Sequence, residues 1–176
     1  MDIVNELASG IDIGGTNTKY GIVNHRGEIL QQGDIRTDQY PKIESFIDAL
    51  YNTLLPVMES AEKSNIQGIG IGAPNGNYYT GTIEYAPNLK WKGIIPLAKM
   101  IGDKFGLPTA LTNDANAAAV GEMTYGAARG MQDFIMITLG TGVGRGIVAN
   151  GQLLLGHDGF AGELGHTILV PDGSFP

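Results

Sequence analysis

One pattern occurs twice in this chain and constrains its fold more than any other feature: an apolar strand, a turn of glycine and threonine, and a returning strand. The first copy turns at Asp12-Ile-Gly-Gly-Thr16 and the second at Leu139-Gly-Thr-Gly-Val-Gly144. Short apolar runs bounded by glycine are typical of buried strands. The repetition predicts two similar halves whose glycine turns face one phosphate chain.

Between the two copies, the hydrophobic pattern alternates between strand and helix periods. Apolar residues recur at three and four residue intervals over residues 41–63, which predicts an amphipathic helix that Pro56 kinks or interrupts. The other predicted elements are strands over 9–15, 18–24, 28–36, 66–72, 108–112, 134–139, 146–150 and 167–170, helices over 94–105 and 113–124, and a long loop over 73–92. This alternation predicts an α/β fold of mixed sheets flanked by helices.

The restart of the pattern in the second copy predicts a domain boundary near residue 112. Residues 1–112 would form an amino-terminal small lobe, and residues 113–176 would begin a large lobe. The second part ends at Pro176 with predicted strands and no covering helix. Since a sheet left bare on one face exposes apolar area, we expect this lobe to be incomplete and further sequence to follow.

Charge and cysteine content argue against several classes of function. A net charge of -7, from 18 acidic and 11 basic residues, provides no basic surface for a phosphate backbone, so nucleic acid is not an expected partner. The chain has no cysteine, which removes disulfides and thiolate metal sites. It shows neither a secretory leader nor an apolar run of ~18 residues, so we expect no membrane contact and a cytoplasmic location.

The first glycine turn is a candidate phosphate site. Gly14, Gly15 and the run Thr16-Asn17-Thr18 would present N–H groups and hydroxyls to an anion. An ordinary glycine-rich hairpin turn explains the same residues equally well when they are taken alone. Two standard nucleotide motifs do not fit, because no stretch reads G-x-x-x-x-G-K-S/T and the segment from Gly68 to Ala73 runs into Pro-Asn-Gly instead of a helix.

Asp114 is the candidate catalytic group, since it stands where a predicted strand ends and a helix begins. Asn113 or Asp114 would serve as an ordinary N-cap, and this explanation holds for at least one of them. In the sharper interpretation, Asp114 accepts a proton from a sugar hydroxyl that attacks a terminal phosphate. A helix start favours the ionised carboxylate, which makes a weak base. A weak base suffices for phosphoryl transfer, because orienting the hydroxyl matters more than early proton removal.

A third candidate group is Gly162-Glu-Leu-Gly-His166, which places a carboxylate and an imidazole three residues apart. A lone Glu-x-x-His favours a solvated turn, but beside two phosphate-type turns and Asp114 it favours binding of adjacent hydroxyls, the source of sugar specificity. The Asn88 amide also matches vicinal hydroxyls, and it could equally be a turn residue. Trp91, the single tryptophan, is interpreted as a packed loop anchor in preference to a sugar-stacking ring.

Taken in order, these segments resemble the ROK family of sugar kinases and sugar-responsive repressors. The likeness spans nearly the whole chain, and the ordered set is specific although each motif alone is weak. The residues that carry it are Asp12-Ile-Gly-Gly-Thr-Asn-Thr-Lys19, Gly70-Ile-Gly-Ala-Pro74, Ala86-Pro-Asn-Leu89, Leu111-Thr-Asn-Asp-Ala-Asn-Ala117, Leu139-Gly-Thr-Gly-Val-Gly144 and Gly162-Glu-Leu-Gly-His166.

The resemblance implies an actin-like ATPase fold, also described as ribonuclease H-like, in which ATP and a hexose meet between two lobes that close and expel water. It implies that Asp114 is the catalytic base for phosphorylation of a hexose, with glucose preferred. The sugar would be held by Asn88, Asn113, Glu163 and His166. ATP phosphates with Mg²⁺ would be held by Asp12, Gly14, Gly15, Thr16, Asn17, Lys19, Gly140, Thr141, Gly142 and Gly144.

The resemblance leaves several points open. Many members bind a structural zinc through the histidine that matches His166 and a downstream cysteine cluster, which this chain does not include. A homodimer is expected, and the sugar could also be an N-acetylhexosamine, fructose or allose, with ATP or polyphosphate as donor. A sugar-responsive repressor would share the same site residues, but the 11 residues before Asp12 leave no room for a helix-turn-helix. An actin-like or chaperone-like ATPase without a sugar is disfavoured by Asn88, Glu163 and His166.

Overall fold

The computed structural model describes residues 6–139 and 142–162. Its main layer is a five-stranded mixed sheet of β1 (Leu7–Ile13), β2 (Asn17–Asn24), β3 (Ile29–Arg36), β4 (Ile66–Ala73) and β8 (Thr109–Asn113). The order in the sheet is β3-β2-β1-β4-β8. Strands β1, β2 and β3 pair antiparallel, and β4 and β8 run parallel to β1. The predicted first hairpin and third strand are confirmed.

One face of this sheet forms the hydrophobic core, because every second residue of β1 is buried. Helix α1 (Ile43–Ser60) buries Phe46, Leu50 and Leu54 in the same core cluster. Helix α2 (Leu97–Phe105) adds Leu97, Ile101 and Phe105 to it. Of the predicted kink or interruption at Pro56, the interruption is wrong, because α1 continues through Pro56 to Ser60, and the kink stays a prediction. Pro56 lies on the exposed side of the helix, where a carbonyl that loses its partner is reached by water.

The segment predicted as a loop over residues 73–92 contains part of a small sheet. Strands β5 (Gly76–Asn77), β6 (Thr82–Glu84) and β7 (Ile94–Ile95) pair antiparallel. The loop prediction is wrong here because strands of two or three residues are too short to show a period. For the same reason, α2 begins at Leu97 and not at residue 94, since the residues before it pair with β6.

Helix α3 (Asp114–Tyr125) lies between two sheets. The second sheet, in the order β11-β10-β9, contains β9 (Phe134–Leu139), β10 (Val143–Ala149) and β11 (Gln152–Leu153). A methyl group added to Gly72 of β4 would lie 3.3 Å from Cβ of Ala117, and one added to Gly146 of β10 would overlap Cβ of Ala119. Glycine in both strands therefore lets the alanines of α3 approach each sheet closely.

The second hairpin predicted from the repeat is confirmed, since β9 and β10 pair antiparallel. The strand predicted over residues 167–170 lies outside the described residues. The division into residues 1–112 and 113–176 stays a prediction, and α3 packs on both sides of that boundary. None of the helices that the structure describes is long and apolar enough to span a membrane.

Candidate functional site

Two carboxylates and one ammonium group meet where β1 ends and α3 begins. Asp12 pairs across the hairpin with Lys19 and in parallel with Gly72 of β4. A methyl group at Gly72 would lie 3.5 Å from Cα of Asp114 and 3.9 Å from Oδ1 of Asp12. Because Gly72 has no side chain, Asp12 and the start of α3 approach one another directly, with Lys19 beside them.

The electrostatics of this group show in the pKa of Asp12, which is raised from its ordinary value of 3.8. Partial burial is the largest cause, the negative charge of Asp114 adds to it, and Lys19 opposes both. Asp12 therefore pays a cost for being ionised in the absence of a ligand. A cation bound beside Asp12 and Asp114 would relieve that cost.

The turn after β1 offers N–H groups to an anion. Gly14 donates its N–H to the carbonyl of Asn17 at 2.9 Å, so this N–H is used inside the turn. The carbonyl of Thr16 accepts from Thr37 N–H at 2.8 Å, which fixes the turn from outside. In the part of the chain that the structure describes, the N–H groups of Gly15 and Thr16 have no acceptor. The turn thus fits a phosphate, with Gly15 and Thr16 as donors.

Asn88 lies against this turn. A methyl group at Gly15 would lie 2.7 Å from the carbonyl oxygen of Asn88 and 3.4 Å from its Cβ. The residue predicted to bind sugar is therefore next to the turn predicted to bind phosphate. The Asn88 side chain is exposed and stays available to a ligand.

Asn113 and Asp114 both cap α3. Asn113 accepts the N–H of Ala115 through Oδ1 at 2.9 Å, and Asp114 accepts the same N–H through Oδ1 at 2.8 Å. The capping explanation is confirmed for Asn113. It leaves the Asn113 NH₂ group and the second oxygen of the exposed Asp114 for other partners.

The second glycine turn is described only in part, because Gly140 and Thr141 lie outside the described residues. Gly142 is exposed, and a methyl group there would meet nothing within 4 Å. At Gly144 a methyl group would lie 2.5 Å from Oγ1 of Thr138 and 3.1 Å from Cβ of Ala115. Gly144 therefore serves packing on α3, and its predicted phosphate contact stays a prediction.

Glu163 and His166 also lie outside the described residues, so their sugar contacts and the zinc ligation predicted for His166 stay predictions. Among residues 6–139 and 142–162, no three His, Asp or Glu side chains form a group suited to a metal ion. Magnesium needs fewer protein ligands, because it is commonly held by one or two carboxylates together with phosphate oxygens and water. Asp12 and Asp114 supply such oxygens.

Trp91 packs as predicted. Its ring lies 4.6 Å from that of Phe46, and its Nε1–H donates to the carbonyl of Tyr40 at 2.9 Å. With 5% of its surface exposed, it has no face free for a sugar. The anchor interpretation is confirmed.

A cavity of about 1200 Å³ opens along the face of the five-stranded sheet that faces α3. Asp12, Lys19 and Asp114 contribute the charged part of its lining, Thr138 is among its polar residues, and most of the remaining lining is apolar. A smaller cavity of about 460 Å³ near Tyr78 and Tyr79 contains none of the predicted site residues. The larger cavity is therefore the one connected to the carboxylates.

Three residues near the site were not singled out by sequence reasoning. Gly72 stood in the motif from Gly70 to Pro74, but its role in admitting Asp12 to α3 depends on the fold. Thr138 precedes the second glycine turn and lines the cavity. Asn77, buried in β5, contacts the segment that leads to Glu163. No sequence signal pointed to Asn77, because it lies in a segment without a recognisable period.

Comparison with known proteins finds relatives named glucokinase and relatives named xylose repressor. The chain is 41% identical over 172 residues to a glucokinase of Halalkalibacterium halodurans, covering 95% of this chain and 51% of that protein. It is 34% identical over 163 residues to a xylose repressor of Caldicellulosiruptor bescii, covering 91% of this chain and 41% of that protein. Among solved structures it matches a ROK family glucokinase from Streptomyces griseus in complex with glucose and AMPPNP, with a TM-score of 0.83, 39% identity and coverage of 95% and 52%.

The chain spans about half the length of the curated relatives it matches, such as the Halalkalibacterium glucokinase. The mixed sheet with helices on both faces, matched by the Streptomyces glucokinase, is the actin-like ATPase fold. The sequence model of the ROK family matches residues 8–175 of this chain. With nearly the whole chain matched, and with the glycine turn, Asp114 and Asn88 gathered at one place, this chain belongs to the ROK family.

Proposed function

We propose that the protein carrying this chain is an ATP-dependent hexose kinase that converts glucose to glucose 6-phosphate. The observation that carries the proposal is the meeting of Asp12, Lys19 and Asp114 in one cavity, beside a turn whose Gly15 and Thr16 N–H groups have no acceptor among residues 6–139 and 142–162. The names of the glucokinase relatives support glucose as the sugar.

Asp114 is proposed as the catalytic base. One of its oxygens is held by the N–H of Ala115, which orients the carboxylate at the start of α3. The second oxygen would accept the hydrogen bond of the attacking sugar hydroxyl and take its proton late in the reaction. Since phosphoryl transfer has a loose transition state, the main contribution of Asp114 is to aim the hydroxyl oxygen at the phosphorus.

The phosphate end is assigned to the first glycine turn. The N–H groups of Gly15 and Thr16 would donate to phosphate oxygens, and Lys19 would balance their charge. Asp12 would hold Mg²⁺ through a carboxylate oxygen, together with phosphate oxygens and water. When bound, Mg²⁺ would neutralise part of the negative charge on the β- and γ-phosphates.

The sugar end is assigned to Asn88, Asn113, Glu163 and His166. Asn88 is exposed beside Gly15, and Asn113 keeps its NH₂ donors because only its oxygen caps α3. Glu163 and His166 are proposed from their motif alone. We further propose that residues 1–112 and 113–176 belong to two lobes that close on ATP and sugar, that the protein forms a homodimer, and that it acts in the cytoplasm, where ATP is supplied.

The test is a coupled kinase assay of the full-length protein with ATP, Mg²⁺ and a panel of hexoses that includes N-acetylhexosamines, fructose and allose. Asp114→Asn should lower kcat by about 10²–10⁴-fold, because positioned acid–base groups contribute that much, while sugar binding persists. Asp103→Asn is the matched control, since it removes an exposed carboxylate of α2 that pairs with Lys99 on the same helix. Full activity in Asp114→Asn would show that another group is the base.

A second candidate function is sugar sensing without catalysis, favoured by the similarity to a xylose repressor. In that case no hexose would be turned over, yet one sugar would raise the thermal stability of the wild-type protein. Polyphosphate in place of ATP in the same assay tests the donor.

A further inference from the structure

We propose that Thr37 is a positioning residue for the phosphate end of the site. It holds the glycine turn of residues 14–17 from the side of the hydrophobic core, and so sets the position of the N–H groups of Gly15 and Thr16. The inference rests on the proposed function in one respect, namely that this turn binds phosphate.

Thr37 is bonded to the chain on both sides of Asn17. Its N–H donates to the carbonyl of Thr16 at 2.8 Å. Its hydroxyl shares a hydrogen bond of 2.8 Å with the hydroxyl of Thr18, in which either oxygen can be the donor. Asn17 lies between these two attachments, and its carbonyl accepts the N–H of Gly14 at 2.9 Å, the bond that closes the turn. Thr37 therefore holds the turn at the residue on which its closure depends.

The hydroxyl pair lies beneath the turn, on the opposite face of the sheet from the large cavity. Thr37 is 3% exposed and Thr18 is 0% exposed. Burial alternates along β2, so Thr18 shares a face with Tyr20, which belongs to the core cluster. Neither threonine lines the cavity that contains Asp12 and Lys19. The pair thus supports the turn from the core and leaves its cavity side to a ligand.

The short distance within the hydroxyl pair makes it sensitive to substitution. The two oxygens lie 2.8 Å apart, whereas nonbonded carbon atoms make contact at about 3.5–4.0 Å. Valine has the shape of threonine with a methyl group in place of the hydroxyl. Valine at both positions would therefore hold the two segments about 0.7–1.2 Å farther apart. Misplacement of a binding group by about 1 Å costs up to about 10²-fold.

The Asn88 loop has attachments of its own to the segment that follows Thr37. Lys90 donates from Nζ to the carbonyl of Asp38 at 2.6 Å. The ring of Trp91 donates from Nε1 to a backbone carbonyl of the same segment at 2.9 Å. Both bonds end on backbone carbonyls, so they survive the loss of the hydroxyl pair. The effect of that loss therefore falls more on the phosphate turn than on the Asn88 loop.

The test measures the KM for ATP, the KM for sugar and the urea midpoint of the full-length protein. Thr37→Val and the double variant Thr18→Val/Thr37→Val should raise the KM for ATP about tenfold and the KM for sugar by less. The double variant should recover the urea midpoint that Thr37→Val loses, because it leaves no buried hydroxyl without a partner. Thr37→Ser keeps the hydroxyl and should keep the wild-type KM for ATP.

The control is Thr109→Val, which removes a threonine hydroxyl from the start of β8. Thr109 is half-buried outside the large cavity, and its hydroxyl donates to the carbonyl of Leu107 at 3.1 Å. The control should lower the urea midpoint and leave the KM for ATP unchanged. A wild-type KM for ATP in the double variant would overturn the proposal. An equal rise in Thr37→Ser or in Thr109→Val would overturn it as well, since the rise would then follow stability and not the hydroxyl pair.

Hydrogen exchange separates failure of this proposal from failure of the proposed function. The amide of Gly14 should exchange faster in Thr37→Val than in Thr109→Val, whatever the protein binds. The amide of Ile71, in the interior strand β4, is the reference for global unfolding. Unchanged exchange at Gly14 overturns the hold on the turn even in an active kinase. Faster exchange at Gly14, with a wild-type protein that neither binds ATP nor phosphorylates any sugar, supports that hold and rejects the proposed function.

Discussion

Gly15→Ala tests the contact between the phosphate turn and the Asn88 loop. The added Cβ would lie 2.7 Å from the carbonyl oxygen of Asn88, whereas ordinary contacts begin at 3.4 Å. Both partners are backbone, so no side chain can rotate away, and the two loops must separate by about 0.7 Å. Gly15 is absent from the described residues with a positive φ, so alanine suits its own conformation. The substitution therefore changes the loop separation and little else.

The expected cost in stability is about 1 kcal/mol, the lower end of the range for overpacking, because two surface loops yield more readily than a core. The expected cost in function is larger. If Asn88 holds the sugar relative to the phosphate, a shift of this size should raise the KM for sugar about tenfold or more.

The assay compares the KM for sugar and the urea midpoint of Gly15→Ala with those of Gly130→Ala. Gly130 is exposed outside the large cavity, with nothing within 4 Å of its added methyl group. Because its φ is +85°, alanine there should cost about 1 kcal/mol in stability and leave the KM for sugar unchanged. The reasoning is refuted if Gly15→Ala keeps the wild-type KM for sugar, or if both variants raise it equally.

Asp12→Asn should abolish phosphoryl transfer yet stabilise the ligand-free protein at neutral pH, since the raised pKa means that burial and Asp114 penalise the ionised form more than Lys19 relieves it. The gain in urea midpoint over the wild type should fade as pH falls through the folded pKa of Asp12 toward 3.8, because the wild-type carboxyl becomes protonated there too. A gain in urea midpoint that does not depend on pH would contradict this. Trp91→Phe should cost about 1–3 kcal/mol in urea unfolding, because the carbonyl of Tyr40 loses its donor. Its sugar affinity should equal that of the wild type, and lost affinity with unchanged stability would show instead that the ring stacks on the sugar.

The sequence predicted the long elements of the fold well, because α1 and the strands of the first hairpin show clear periods. The prediction failed for strands that are too short to show a hydrophobic period, and for residues whose effect depends on their position in the folded protein. The two-residue strand Gly76–Asn77 pairs only because β6 returns beside it. Pro56 suggests a break in isolation, yet its exposed position in a helix anchored by buried leucines makes it tolerable.

For the candidate site, motifs predicted which residues matter but not how each one acts. Asn113 proved to cap α3, and Gly144 packs against Ala115, because the roles of both depend on the place where α3 lies. Asp12 and Asp114 were assigned to different partners, phosphate and sugar, while their electrostatic coupling across Gly72 required three-dimensional proximity. Residues far apart in sequence reveal such coupling only after folding.

The glycine and alanine packing around α3 also limits how this protein can evolve. Ala119 faces Gly146 with no space between them, so neither position can accept a larger residue without displacing the helix or the strand. An alanine at position 146 would need the compensating change Ala119→Gly, whereas a larger residue at position 119 has no such compensation, because Gly146 is already the smallest residue. Descendants of this chain should therefore keep this glycine–alanine contact or change both positions together.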